Sequence, residues 1–363
     1  MRRAAYMVAF AEMLRAVCRR LCAGAIVLLL AISACGGPHR RAARSGLNTV
    51  PALAGPTALA SSAMPTPAGA TGTSQLPPAV TRSRPLPSTT ATPPPTGRPT
   101  PSASAGCGVG RAAGTTVLAL PGGRRALIAV PGGDTGRRRL GLVIGLPGYG
   151  QTPEQLAAQS RLPARAMAAG VLAVLPQGAG SARSWNFSGT TGYDDLAFLS
   201  ALITRLVTTE CADAARIVIA GISDGGDMAA VVACSLHVRF RAVVTVAAST
   251  EPRSNCRPMR IIAVHGDADP LDPYSGGSDG RRGYPATPPA IPAIAAWAAL
   301  DGCAHASTSS MASHIVTTTY ACGAQLVTVK GGGHTWPGGA AVTAALGATT
   351  SEYDATATIL GLI

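Results

Sequence analysis

The 363-residue sequence has no C-x-x-C pair and no clustered histidines, so a zinc site would lack its usual ligand spacing, and no metal or cofactor is expected. Charge is sparse, at 13% against 47% hydrophobic residues. Acid is nearly missing from the first 106 residues, where 11 arginines meet only Glu12, for a net charge of +10. The rest of the chain carries 19 basic and 16 acidic residues, a net of +3. Most of the overall +13 therefore belongs to the first 106 residues. By composition the folded part offers no basic face, and no nucleic-acid partner is expected. The leader's apolar run, Ala23–Ile32, falls well short of the roughly 20 residues that span a bilayer.

What is present at the N-terminus reads as targeting. Arg15, Arg19 and Arg20 precede that run, which suits the core of a secretory signal. It ends at Ile32-Ser-Ala-Cys35, which resembles the bacterial lipobox and implies a lipid-modified Cys35 after removal of a signal peptide over 1–34. From 35 to 105 the chain is Ala, Pro, Ser, Thr and Gly, stiffened by Pro93-Pro-Pro95 and Pro99-Thr-Pro101. Such a segment buries too little apolar surface to offset its ordering entropy, so it is expected to be a disordered tether. The third part, 106–363, is expected to be one α/β domain with a mostly parallel central sheet flanked by helices. Its six cysteines in an exported domain imply up to three disulfides, with the pairing open.

The organising stretch of that domain is Arg216-Ile-Val-Ile-Ala-Gly-Ile-Ser-Asp-Gly-Gly-Asp-Met228. It opens on β-branched residues, turns at G-x-S-x-G, and runs on into the helix-compatible Met228–Cys234. A strand–turn–helix of this kind aims Ser223 out of a strained backbone position, while Gly221 and Gly225 let the strand and helix approach. A serine needs a base and an orienting acid. Met259–Val264 reads as a buried strand that delivers Asp267, Asp269 and Asp272, and Gln325–Lys330 as a strand that delivers His334. Both groups follow the C-terminal end of a strand, where open α/β sheets place their sites. Spacing alone leaves the choice among the three aspartates open. His265 is expected to be structural.

These pieces resemble the esterase branch of the α/β-hydrolases that includes polyhydroxybutyrate depolymerases, feruloyl esterases and acetyl esterases. The likeness is carried by Gly221-Ile-Ser-Asp-Gly-Gly226, His265-Gly-Asp-Ala-Asp269, Pro273-Tyr-Ser-Gly-Gly277 and Gly331-Gly-Gly-His-Thr-Trp-Pro-Gly338. It implies an α/β-hydrolase fold, with Ser223 as nucleophile, Asp269 as acid and His334 as base. It also places oxyanion donors at the N–H groups of Asp224 and Tyr149, since Pro147 has no N–H. Trp185 and Trp336 fall in loops on the same face, where they are expected to flank the acyl group. Proximity along the chain together with the likeness favours Cys234–Cys256 and Cys303–Cys322, leaving Cys107–Cys211. The implied protein is an exported, cofactor-free serine ester hydrolase, monomeric and anchored to a membrane through Cys35. Its substrates would be feruloyl, acetyl or hydroxyalkanoate esters. The rivals are an envelope acyltransferase and a surface-binding lipoprotein that has lost activity.

Overall fold

The computed structural model describes residues 107–278, 284–303 and 307–363. The expected signal peptide, the tether and Cys35 lie outside them. Among the described residues ten strands form one sheet in the order β1-β2-β4-β3-β5-β6-β7-β10-β9-β8. An entry hairpin of β1 (Gly114–Ala119) and β2 (Arg125–Val130) turns through Gly122 and Gly123, both at positive φ. Then come β3 (Leu140–Leu146), β4 (Leu172–Pro176), β5 (Ala212–Ile222), β6 (Ala242–Val246), β7 (Ile261–Gly266) and β10 (Gln325–Val329). These six strands run parallel to one another, so their C-terminal ends share one edge of the sheet.

Continuous apolar runs such as Leu140–Leu146 become strands buried on both faces, because helices cover both sides. On one side α3 (Asp195–Thr209), α4 (Asp224–Ser235) and α5 (Ala290–Leu300) pack on Leu142, Ile144, Ile217 and Ile219. On the other, α1 (Pro153–Ser160), α2 (Leu162–Ala168) and α6 (Ala355–Gly361) pack on Val143, Val218, Ala220 and Val244. The period-2 alternation along β3 and β5 thus splits the interior into two cores. Each buried Val, Leu or Ile contributes about 1.5–3 kcal/mol by leaving water.

The hairpin of β8 (Ser307–Ala312) and β9 (Ile315–Tyr320) extends the sheet past β10 and was not legible in the sequence. Every residue of β8 is exposed, so its Ser/Thr-rich run shows no apolar alternation to betray a strand. Three disulfides close Cys107–Cys211, Cys234–Cys256 and Cys303–Cys322. The first spans 104 residues and fastens the start of the described domain to the residue before β5.

Candidate active site

The site is assembled at the C-terminal edge of the parallel strands. β5 ends at Ile222, and α4 begins at Asp224, which leaves Ser223 alone at the corner with φ 55° and ψ −130°. This is a strained conformation for an L-residue, and it is held from several directions. The Ser223 N–H donates to Val246 O at the end of β6, and the Ser223 carbonyl accepts from the Gly226 and Asp227 N–H groups. Close packing requires the glycines on either side. A Cβ on Gly221 would sit 2.1 Å from Gly225 O, and one on Gly225 would sit 2.2 Å from Leu146 O.

β7 and β10 are neighbours, and the loops that leave them meet. His334 Nδ1 lies 2.9 and 3.0 Å from the two carboxylate oxygens of Asp269, and both side chains are buried. Asp269 Oδ1 also accepts the Leu271 and Asp272 N–H groups at 2.8 and 2.9 Å. Burial alone would push the Asp269 carboxyl up, but hydrogen bonds from His265 and His334 outweigh it and hold the group well below the usual carboxylate range.

The other two aspartates have different partners. Asp267 pairs with Lys330 at 2.5 Å and accepts the Gly331 N–H, which fastens the end of β10 to the end of β7. Asp272 receives the Ser249 N–H at 3.4 Å, and burial pushes its carboxyl up. His265 is buried as expected, yet it also belongs to the acid's surroundings. Its Nε2 lies 2.8 Å from Asp272 O, 3.6 Å from Asp269 and 3.8 Å from the Asp272 carboxylate, while Nδ1 meets Ser249 Oγ. Sequence reading gave this histidine no such contact, because it depends on how the loop after β7 folds back.

Ser223 and His334 line one cleft of about 650 Å³. Its wall is completed by Tyr149, the glutamines Gln151, Gln155 and Gln159, and the apolar Leu271, Val342 and Leu346. The 340–346 segment carries no motif and was missed in the sequence, although Leu346 O accepts the His334 N–H. Beside the elbow, the loop 147–152 is fixed by the Gly148 N–H donating to Gln151 Oε1 and by Arg183 Nε donating to Gly150 O. A Cβ on Gly148 would lie 3.3 Å from Ile222 O, so this backbone passes directly over the serine's strand. Tyr149 follows Gly148 in this loop, and Asp224, at the start of α4, follows Ser223 directly. The Asp224 carboxylate is buried and turned back, accepting the Trp185 N–H at 2.8 Å.

The two tryptophans are corrected by the structure. Trp185 is 1% exposed and Trp336 0%, and neither lines the cleft. The Trp185 indole donates to Pro147 O and that of Trp336 to Thr356 Oγ1, so they brace the loops from behind. The aromatic side chain in the cleft wall is Tyr149, 56% exposed. Among the described residues no group of His, Cys, Asp or Glu is arranged to hold a metal.

A mostly parallel sheet wrapped by helices, with a serine elbow after the central strand and an Asp–His pair from later strand ends, is the α/β-hydrolase fold. Within it the chain belongs to the Esterase PHB depolymerase family, whose model matches residues 125–325. A probable feruloyl esterase C of Aspergillus flavus is 31% identical over 120 residues, 32% of this chain and 42% of the relative. One of Aspergillus niger is 32% identical over 91 residues, 24% of this chain and 33% of the relative. The chain thus spans less than half the length of these curated relatives. An acetyl xylan esterase from Aspergillus awamori overlays with a TM-score of 0.46 at 16% identity, over 61% of this chain and 94% of that one.

Proposed function

We propose that the chain is an exported carboxylic-ester hydrolase that works through an acyl-enzyme on Ser223. The observation that carries this reading is the buried bond of 2.9 Å between His334 Nδ1 and Asp269, in the cleft that Ser223 also lines. Asp269 fixes the imidazole tautomer so that Nε2 is free to take the Ser223 proton as Oγ attacks the ester carbonyl. The negative oxygen of the tetrahedral intermediate is received by the backbone N–H groups of Asp224 and Tyr149. His334 returns the proton to the leaving alcohol, and a water activated the same way releases the acid. None of these steps requires a cofactor. A cleft of about 650 Å³ with apolar and amide walls suits a soluble feruloyl, acetyl or short hydroxyalkanoate ester. Export follows a signal peptide over 1–34, with lipid attachment at Cys35 and a tether over 35–105. The assembled acid–base pair favours this reading over an inactive surface lipoprotein.

The test is Ser223→Ala. It should lower turnover of p-nitrophenyl acetate by several orders of magnitude and abolish covalent labelling by a fluorophosphonate. Undiminished turnover would refute the proposal, and a carbohydrate acceptor in the same assay would reveal transfer in place of hydrolysis.

A further inference from the structure

The arginines of the described domain are not spread evenly over it. Arg137 and Arg138 precede β3, Arg239 and Arg241 precede β6, and Arg257 and Arg260 precede β7. In the sheet these strands run β3-β5-β6-β7, all parallel, so the six guanidiniums collect at the N-terminal end of the sheet. At strand spacings of ~4.8 Å they cover a front on the order of 15 Å wide. All six residues are exposed, and none makes an ion pair among the described residues. Of the carboxylates at this end Glu210 is paired with Arg111, while Asp134, Asp213 and Asp301 accept backbone N–H groups and keep their charge, so these six arginines outnumber them two to one. Composition suggested no basic face, and the structure corrects that. A net of only +3 is sorted along the strand axis.

Two further observations indicate what this end meets. Arg239 and Arg257 line one depression of about 540 Å³ together with the apolar Leu236, Val238 and Met259, and Val109, 61% exposed, lies at the same end beside Gly136. Basic and apolar side chains mixed in this way match the boundary between headgroups and acyl chains. The polypeptide that precedes Cys107 also joins the domain here, since Cys107 is bridged to Cys211 and the Gly108 N–H donates to Gly136 O, next to Arg137. The Arg241 N–H donates to Ile217 O of β5, and Ser223 follows six residues later, about 20 Å away at ~3.3 Å per residue.

We infer that the arginine end of the sheet is a docking face for an anionic lipid bilayer, which the domain meets with its cleft turned away from the lipid. The attraction should amount to about fivefold in partitioning per arginine near an anionic surface. The test is sedimentation of the full chain, carrying Cys35→Ala to remove the anchor, with vesicles of phosphatidylcholine with or without phosphatidylglycerol. Because the first 106 residues hold 11 arginines of their own, the readout is a contrast between variants on one background. Arg239→Glu with Arg257→Glu should lower partitioning onto anionic vesicles by at least tenfold, with p-nitrophenyl acetate hydrolysis within twofold of the parent. Arg161→Glu with Arg253→Glu, an equal charge change at exposed residues near the cleft end, where Arg161 follows cleft-lining Gln159 and Arg253 donates to Phe187 O, should lower it much less. Equal loss from both pairs, or none from the first, would overturn the inference. So would binding to a soluble dextran sulfate that responds to the first pair while binding to anionic vesicles does not. If the glutamate pair fails to fold, Arg239→Gln with Arg257→Gln gives the same contrast at half the charge change.

Discussion

Replacing Asp269 by asparagine separates two tasks that one carboxylate performs together. Oδ1 accepts the Leu271 and Asp272 N–H groups at 2.8 and 2.9 Å, and Oδ2 faces His334 Nδ1 at 2.9 Å. An asparagine placed here must keep its oxygen toward the two N–H groups, which puts its amide nitrogen toward the imidazole. Two donors cannot share that bond, and Oδ1, 3.0 Å from Nδ1, is already taken by two N–H groups, so the tautomer with its proton on Nε2 is favoured. The ring then presents a donor where the mechanism needs a base. The expected loss is about 10⁴-fold in kcat, the cost of the wrong tautomer in such a triad, equivalent to ~5 kcal/mol of transition-state stabilisation at 1.36 kcal/mol per tenfold. Stability should fall by only about 1.5–3 kcal/mol, for one charge-assisted bond lost while the turn is kept. Asp269→Ala should be less stable still, because it strands both backbone N–H groups. The assay is p-nitrophenyl ester hydrolysis read as kcat, paired with urea unfolding of each variant. A folded Asp269→Asn protein that retains more than a tenth of wild-type kcat would refute the reasoning.

Two other outcomes are expected. Tyr149→Ala keeps the backbone N–H and removes only the exposed ring, so it should raise KM for aryl esters and leave kcat within a few fold; Tyr149→Pro deletes the N–H and should cost about 10²–10³ in kcat. Equal effects of the two in steady-state kinetics would remove Tyr149 from the oxyanion site. At His265 burial acts to lower the pKa, but the hydrogen bond to Asp269 and the charges of Asp272 and Asp269 outweigh it, and the net shift is upward. A raised folded-state pKa gives stability that is complete below the unfolded value near 6.5 and lost as pH rises through the folded value. The stability gap between wild type and His265→Gln, measured by urea unfolding from pH 5 to 9, should therefore narrow as pH rises. A gap that widens would contradict the assigned contacts. Asp269, with its depressed pKa, acts in the opposite window, and its contribution fades only as pH falls below the ordinary carboxylate range.

The parts of this molecule that were readable beforehand are those in which local chemistry and global position say the same thing. Strands buried on both faces, such as Leu140–Leu146 and Ala242–Val246, appear as uninterrupted apolar runs because no face needs a polar residue. The elbow is readable because its glycines are demanded by contacts near 2 Å that no side chain tolerates. Choosing among Asp267, Asp269 and Asp272 is different, since all three follow one strand within six positions and the winner depends on a turn folding back on itself. The tryptophans show the opposite error: a loop position suggests exposure, but Trp185 and Trp336 have indole N–H partners in Pro147 and Thr356, and that allows full burial. The arginine face lies furthest from sequence reasoning. Its members are scattered from 137 to 260 in three small groups, each just before a strand, and only the parallel order β3-β5-β6-β7 brings them to one end. In a parallel sheet every strand enters at one edge and leaves at the other. The same topology that gathers Ser223, Asp269 and His334 at the exits therefore gathers whatever precedes the strands at the entrances, and chemistry and docking can be selected at opposite ends of the same strands.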